Sequence, residues 1–192
     1  MIPAAFVRID PPTTHQKKMP TTLAPVLPRH EEFSIEELID AYLKGPSEIR
    51  DAIAGMTEEE IQSQPVDDMW STLEVVCHLA DCEQFFADRM KRTAATDRPE
   101  LMEVDGYRYN DAMDYQHHDL EEELLLIEAT RRQMARTLRL LPREAWNREA
   151  TLSDLGTLTL RHLVLHAINH VHHHLEYVTE KRKAMRRTRS SS

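Results

Sequence analysis

Glycine and cysteine are scarce in this sequence. The chain has 192 residues, of which four are glycine and two are cysteine. A chain so poor in glycine, with 30% charged residues, is not typical of a turn-rich β-sandwich and favours helices. Cys77 and Cys82 lie five positions apart on one predicted helix, so their side chains point in different directions and no disulfide between them is expected. These features predict a reduced, cytoplasmic protein.

Long apolar runs and an excess of positive charge are also missing. No segment approaches the roughly 18–20 apolar residues that cross a bilayer. Arg8 and Asp10 interrupt the short apolar stretch in the first ten residues, so no secretory signal is expected there. Lys and Arg total 24 against 33 Asp and Glu, which gives a net charge of −9. Nucleic-acid binding depends on cations that displace phosphate counterions, so a chain with this negative charge is not expected to bind nucleic acid. The same negative charge makes a membrane surface an unexpected partner.

Proline is concentrated at the N-terminus, where residues 1–30 contain six of the ten prolines. Proline lacks a backbone donor and interrupts helices, so this segment is predicted to be an extended or disordered arm. Two interpretations stay open: a tail with no function of its own, or a segment that wraps the domain or a second subunit. Residues 31–184 are predicted to form one helical domain, and residues 185–192 a basic C-terminal tail.

Capping signals mark where the helices of this domain begin. Ser34 followed by Glu37 forms a capping box, which predicts a first helix to about Gly55, with an interruption at Gly45-Pro46. Thr57 begins a short second piece by the same signal. Three further helices are predicted, from Ser71 to before Pro99, from about Asp114 to Leu141, and from Thr159 to about Arg182.

Connections between these helices define the predicted topology. Residues 97–113 contain proline and glycine and are predicted to be a long crossover, whereas Asp154-Leu155-Gly156 is predicted to be a tight turn. Four helices of roughly 20 residues joined in this way are typical of a four-helix bundle. The predicted fold class is therefore all-α, with the long crossover between the second and third bundle helices.

Histidine is unusually abundant, with 11 residues in the chain. Six of them lie on the last predicted helix: His162, His166, His170, His172, His173 and His174. A spacing of four residues places two imidazoles on one helical face, at a separation that suits a single metal ion. Three such pairs occur in register, so spacing alone does not choose among them. His170 and His174 also continue an apolar stripe formed by Leu163, Ala167 and Val178, whereas His172 and His173 do not.

His78 provides a third imidazole in an apolar setting, between Val75 and Ala80 on the second bundle helix. Any one of these histidines, taken singly, is more often a surface residue or a core residue bonded to a neighbour. A buried imidazole nevertheless needs a partner for its nitrogens. One histidine from the second bundle helix and an i, i+4 pair from the fourth would give three ligands and an open position, which is the pattern of catalytic rather than structural zinc.

Two segments of the sequence resemble a known family: Trp70-Ser71-x-x-Glu74-Val75-x-x-His78-Leu79 and Asn169-His170-x-x-x-His174-Leu175. Together they are similar to the DinB/YfiT-like family, and the resemblance covers about residues 34–183. It implies a four-helix bundle that holds a divalent metal, commonly zinc or nickel, through three histidines. Matched residue by residue, these are His78, His170 and His174. One position departs from the pattern, because Tyr177 stands where many relatives carry glutamine.

The same resemblance implies functions for the chain. Family members are regarded as metal-dependent hydrolases of small molecules. Some are S-transferases that use a low-molecular-weight thiol, namely mycothiol, bacillithiol or glutathione, and members often form homodimers. A metal in such a site lowers the pKa of a bound water or deprotonates a bound thiol, and either reaction needs a nearby acid or base.

Asp81, three residues after His78, is the candidate catalytic acid or base, with a solvated helix face as the alternative. Glu74 is assigned instead to a capping box with Ser71. Two function classes follow: a metal-dependent enzyme acting on a small molecule, or a non-catalytic metal-binding bundle that acts as a stress-associated or interaction module. In a third interpretation the bundle binds no metal, and its histidines pair with buried carboxylates.

Overall fold

The structure is a computed structural model that describes residues 33–152 and 156–190, with side chains described as far as residue 187. Its elements, in chain order, are helices α1 (Ile35–Ile53), α2 (Glu58–Gln62) and α3 (Thr72–Ala95), strand β1 (Glu100–Leu101), helices α4 (Gly106–Met113) and α5 (Leu120–Leu140), strands β2 (Glu149–Leu152) and β3 (Gly156–Thr159), and helix α6 (Leu160–Ser190). The predicted arm of residues 1–30 and two positions of the predicted turn, Asp154 and Leu155, lie outside the described residues.

Helices α1, α3, α5 and α6 form a four-helix bundle, as predicted. Helix α3 packs against α5 and α6, and α1 packs against the same two helices, so the order around the bundle is α1, α5, α3, α6. Apolar side chains from all four helices fill the interior, including Leu38, Met90, Met134 and Leu163. Because α3 and α6 are neighbours, residues on their facing sides meet inside the bundle.

Local capping explains where the helices begin. Reciprocal capping boxes join Ser34 to Glu37, Thr57 to Glu60 and Ser71 to Glu74, all as predicted. Helix α6 begins with a variant of the capping box, in which His162 occupies the position of the acidic residue. The backbone N–H of His162 donates to Thr159 Oγ1 (3.2 Å), and the backbone N–H of Thr159 donates to His162 Nδ1 (3.2 Å). The ring of His162 is therefore used to begin the helix.

The predicted interruption at Gly45-Pro46 is wrong, because α1 runs through it without a break. Pro46 cannot donate to the carbonyl of Tyr42, one turn earlier, and an interior proline normally breaks a helix for this reason. Here Arg131 of α5 supplies the missing donor, from Nη1 to Tyr42 O at 2.9 Å. Gly45 leaves room for this guanidinium, since a Cβ at position 45 would lie 1.9 Å from Arg131 Nη1.

The connections contain more structure than predicted. The crossover includes β1 and α4, and α5 begins at Leu120, capped by Asp119, rather than near Asp114. Strand β1 pairs in parallel with β2, and β2 pairs antiparallel with β3, which forms a three-stranded sheet beside the bundle. Strands of two to four residues show too few alternations to be detected from sequence.

Helix α6 also extends beyond its predicted end near Arg182, as far as Ser190. The basic residues that follow Arg182 therefore continue the helical backbone, where positive charge suits the C-terminal end of the helix dipole. No helix in the described part of the chain is long and apolar enough to span a bilayer.

Candidate metal centre

Three histidines predicted to act together meet inside the bundle. His78 lies on α3, and His170 and His174 lie one turn apart on α6. The ring centroids are 5.1 Å apart for His78 and His170, 4.7 Å for His78 and His174, and 4.5 Å for His170 and His174. The Nε2 atoms of His78 and His170 approach to 3.3 Å. The structure therefore brings together the three side chains that the sequence indicated.

Apolar rings and one glycine enclose this cluster. Trp70 packs on His78 with a centroid distance of 5.1 Å, and Phe86 packs on His170 at 5.3 Å. Gly106, the first residue of α4, lies directly against His78, because a Cβ at that position would be 2.5 Å from His78 Cε1. The side chain of His78 is only 9% exposed and that of His174 only 5%. The imidazoles are thus held in a largely dry environment.

Burial keeps the three imidazoles neutral. It lowers the pKa of His78 to about 4, with the nearby His173 contributing. Burial, followed by the neighbouring histidines, also holds the pKa of His170 and of His174 well below the ordinary histidine value. Neutral imidazoles are the form that coordinates metals.

The nitrogens also need a partner. His174 Nδ1 is buried and has no hydrogen-bond partner among the described residues. A buried nitrogen without a partner is costly, and coordination would satisfy it. The residues present therefore fit a divalent transition metal.

Cys82, which the sequence pattern does not indicate as a member, also lies beside this cluster. Its Sγ lies 3.7 Å from Nδ1 and 3.6 Å from Nε2 of His78. The potential ligand atoms of His78, Cys82 and His170 all lie within 4.8 Å of one another. Burial raises the pKa of the Cys82 thiol to about 12, with Asp81 adding to the effect. The i, i+4 spacing of His78 and Cys82 on one helix was the available signal.

Asp81, the predicted acid or base, is half-buried on α3 and lines a cleft whose wall includes none of the three histidines. Its carboxylate accepts a hydrogen bond from the hydroxyl of Tyr115. Burial and this carboxylate together raise the pKa of Tyr115. The cleft has a volume of about 370 Å³ and is lined by Asp81, Gln84, Phe85, Asp88, Arg89, Met102 and Tyr109. Tyr115 therefore fixes the position of Asp81 in the cleft wall.

The other histidines of α6 have partners of their own, although the rings of His166 and His173 also lie beside those of His170 and His174, at centroid distances of 6.4 and 5.3 Å. His162 caps the helix, His172 Nε2 lies 3.1 Å from a carboxylate oxygen of Glu48, and His173 Nε2 lies 3.3 Å from the hydroxyl of Tyr177. His166 is buried against Phe86, at a centroid distance of 4.9 Å. Of the three registers that the spacing allowed, only the pair His170 and His174 meets His78 with both rings.

Glu74 lies in the capping box, as expected. Its carboxylate accepts hydrogen bonds from the backbone N–H of Ser71 at 2.6 Å, from Gln64 Nε2 at 2.9 Å and from Asn110 Nδ2 at 3.0 Å. These bonds tie the start of α3 to the segment that follows α2 and to α4. Glu74 is therefore a buried anchor for α3, which in turn carries His78.

Comparison with known proteins identifies two relatives whose names describe them as candidate metal-dependent hydrolases. YfiT of Bacillus subtilis (strain 168), named as a candidate metal-dependent hydrolase, is 24% identical over 141 residues, which span 73% of this chain and 79% of that protein. A protein of Geobacillus thermodenitrificans (strain NG80-2), named in the same way, is 29% identical over 108 residues, 56% of this chain and 60% of its own length. The names describe those two proteins, and they agree on metal dependence.

The fold and the sequence lead to one family. The solved structure of YfiT from Bacillus subtilis, described as having an unusual four-helix bundle topology, matches with a TM-score of 0.74 at 21% identity and covers 88% of this chain and 93% of that one. The sequence profile of the DinB superfamily matches residues 41–178, which include all four bundle helices in whole or in part. The predicted resemblance and the predicted fold class are confirmed, and the chain belongs to the DinB superfamily.

Proposed function

We propose that this protein is a metal-dependent hydrolase of a small molecule, with His78, His170 and His174 as ligands of a divalent metal such as zinc or nickel. The observation that carries the proposal is the meeting of three imidazoles from two facing helices, two of them buried and the third partly buried. The names of the two relatives support the same class of reaction. Three nitrogen ligands from the protein are typical of catalytic metal sites.

A divalent metal in this site would supply Lewis acidity and would lower the pKa of a bound water. The protein's own residues provide the rest. Trp70 and Phe86 cover the imidazole rings and exclude bulk water from them. Asp81 stands in the wall of the cleft, where its carboxylate can accept a proton from a substrate or water, and the hydroxyl of Tyr115 orients that carboxylate.

The proposal is tested by measuring whether turnover requires both the metal and Asp81. Metal-free protein and protein reloaded with Zn²⁺ or Ni²⁺ should be assayed on a panel of small esters, amides and phosphoesters. We expect turnover only in the loaded protein, and we expect Asp81→Asn to lower kcat by about 10²–10⁴-fold with metal content unchanged. Asp88→Asn is the matched control, because Asp88 lines the same cleft but is exposed and paired with Arg92 at 2.6 Å.

Three outcomes would contradict parts of the proposal. Equal activity of Asp81→Asn and wild type would remove the role of Asp81. Bound metal without turnover on any substrate would favour a non-catalytic metal-binding bundle. Turnover only in the presence of an added thiol would favour an S-transferase.

The contact between Gly106 and His78 leads to a second expected result. Gly106→Ala should weaken zinc binding by about 10–100-fold, the range seen when a residue that positions a ligand is lost, because the new methyl group must displace the His78 ring. Isothermal titration with Zn²⁺ measures the effect. Alanine is a better helix former than glycine, so destabilisation of α4 would not explain the loss. Asp111→Ala on the exposed side of α4 is the control, and equal affinity of both variants would contradict the steric argument.

A further inference from the structure

We propose that the cleft beside α3 binds a small molecule that carries a carboxylate, and that Arg89 is the residue that recognises this group. The cleft is lined by residues of α3, the crossover and α4, and its volume of about 370 Å³ is within the range of ligand pockets, about 300–1,000 Å³. Its wall includes none of the three histidines, so the inference goes beyond the proposed metal site and does not depend on a bound metal.

Arg89 is a buried cation without a counter-ion among the described residues. It lines the cleft, and it is only 9% exposed. Its Nη2 donates to the backbone carbonyl of Met102 at 2.5 Å, but its Nε is buried and has no hydrogen-bond partner, and no carboxylate of the described residues forms an ion pair with the guanidinium. Buried charges are normally paired, and an arginine cannot lose its charge by giving up a proton. Arg89 therefore needs an anion that the described part of the chain does not supply.

Arg131 provides the comparison, because it is also a buried arginine of the bundle. Its guanidinium lies 2.7 Å from the Glu83 carboxylate, so the two charges are compensated inside the protein. The acidic residues nearest in effect to Arg89 are Glu103 and Asp88, which are both exposed and act on it from beyond ion-pair distance. Burial lowers the pKa of Arg89 in spite of these two charges. The charge of Arg89 is therefore less compensated than that of Arg131.

Aromatic side chains form the apolar part of the cleft wall. Phe85 of α3 and Tyr109 of α4 meet edge to face, with ring centroids 5.6 Å apart. Phe85 lies four residues before Arg89, so the ring and the guanidinium lie on one side of α3. A few polar groups in an otherwise apolar pocket fix the orientation of a ligand. This combination suits a carboxylic acid whose aromatic or aliphatic body packs on the two rings.

The other charges in the cleft favour a carboxylate over a phosphate. Asp81 accepts a hydrogen bond from the hydroxyl of Tyr115, and Asp88 pairs with Arg92 at 2.6 Å. These two carboxylates would repel a dianion, such as a phosphate monoester, more strongly than a singly charged carboxylate. A carboxylate also matches the planar fork of a guanidinium. Because Asp81 lines the same cleft, this molecule would be the substrate under the proposed function.

Calorimetric titration of the full-length wild-type chain tests the proposal without an activity assay. The probes are benzoate, 3-phenylpropionate and hexanoate, each compared with its neutral amide, and the protein is measured once with a chelator and once with Zn²⁺. We expect at least one acid to bind about 10-fold or more tightly than its amide in both states, because a hydrogen bond to a charged group is lost with the amide. Binding of the acid without turnover would support this inference and count only against the proposed hydrolase.

Three results would overturn the inference. The first is equal affinity of each acid and its amide, or no binding of any acid at about 10 mM. The second is binding of the acids only in the presence of Zn²⁺, which would place the carboxylate on the metal. The third is tighter binding of phenyl phosphate than of every acid, which would replace the carboxylate by a phosphate group.

Variants then assign the two parts of the ligand to the two parts of the cleft. Arg89→Met should lower the affinity for the acid to that for the amide. Lys91→Met is the matched control, because it removes the same charge from an exposed position of α3, where Lys91 Nζ donates to Gln133. Phe85→Ala should weaken the acid and the amide by the same factor. An acid preference that survives in Arg89→Met, or that is lost equally in Lys91→Met, would contradict the role of Arg89. The wild-type comparison of acid and amide does not depend on the folding of any variant.

Discussion

Replacing Arg131 with methionine is expected to lower the free energy of unfolding by about 3–5 kcal/mol, the range for breaking a buried ion pair on one side. Arg131 of α5 is 1% exposed, and its guanidinium donates to three other bundle helices. It donates from Nε to Glu83 Oε2 on α3 at 2.7 Å, from Nη1 to Tyr42 O on α1 at 2.9 Å and from Nη2 to Ala167 O on α6 at 2.9 Å.

The loss is large because several buried groups would lose their partner at once. The Glu83 carboxylate would keep the hydroxyl of Tyr42 but no longer have a compensating charge. The carbonyl of Tyr42 would lose the donor that replaces the missing N–H of Pro46. Urea unfolding followed by circular dichroism measures the difference. The double variant Arg131→Met with Glu83→Gln should lose less than the single variant, because no unpaired charge stays buried.

The neighbouring residue Arg132 provides a matched control for this experiment. Its side chain is 68% exposed and lies 3.5 Å from Glu128 on the same helix. Arg132→Met should change the free energy of unfolding by less than about 0.5 kcal/mol, as is usual for exposed ion pairs. If both variants lose the same small amount, the buried network does not stabilise the bundle as argued.

Replacing His170 with alanine is expected to abolish metal binding. The ring of His170 contacts both other imidazoles and its Nε2 lies 3.3 Å from His78 Nε2, so its removal eliminates a proposed ligand and enlarges the space around the rest. Loss of a residue that only supports a ligand lowers metal affinity by up to about 100-fold. Loss of a ligand itself should lower the metal affinity by more. Metal content measured by mass spectrometry, on untagged protein offered Zn²⁺ or Ni²⁺, should fall from about one ion per chain to background.

Two other histidines on α6 are the controls for this prediction. His162 caps the helix and His172 faces Glu48, so His162→Ala and His172→Ala should keep the metal. Circular dichroism would verify that each variant is folded. Retention of metal by His170→Ala, or equal loss in all three variants, would contradict the assignment of ligands.

The bundle and the meeting of the three histidines could be predicted because their signals are local. A capping box is read from four consecutive residues, and each of the three predicted boxes is present. The sequence indicates His170 and His174 because they continue an apolar stripe on one helix, and His78 because an imidazole in an apolar setting needs a partner. These arguments need only the helical period and the cost of burying polar atoms.

Features that depend on distant residues could not be predicted in the same way. Pro46 lies within a continuous helix only because Arg131, 85 positions later, donates to the carbonyl of Tyr42. Similarly, Gly106 was assigned to a long crossover, and only the structure places it against His78. The approach of the Cys82 sulfur to the His78 ring likewise depends on side-chain positions that the sequence does not specify.

The bond from Arg131 to the carbonyl of Tyr42 also bears on the order in which the chain folds. Helix α1 on its own has a glycine and a proline at its centre, and short isolated helices with such residues are marginal in water. The two halves of α1 can form one continuous helix only when α5 packs against α1 and Arg131 donates to the carbonyl of Tyr42. Helix formation and docking are therefore coupled in α1, and we expect its native contacts to form together with those to α5 and not as a pre-formed local element.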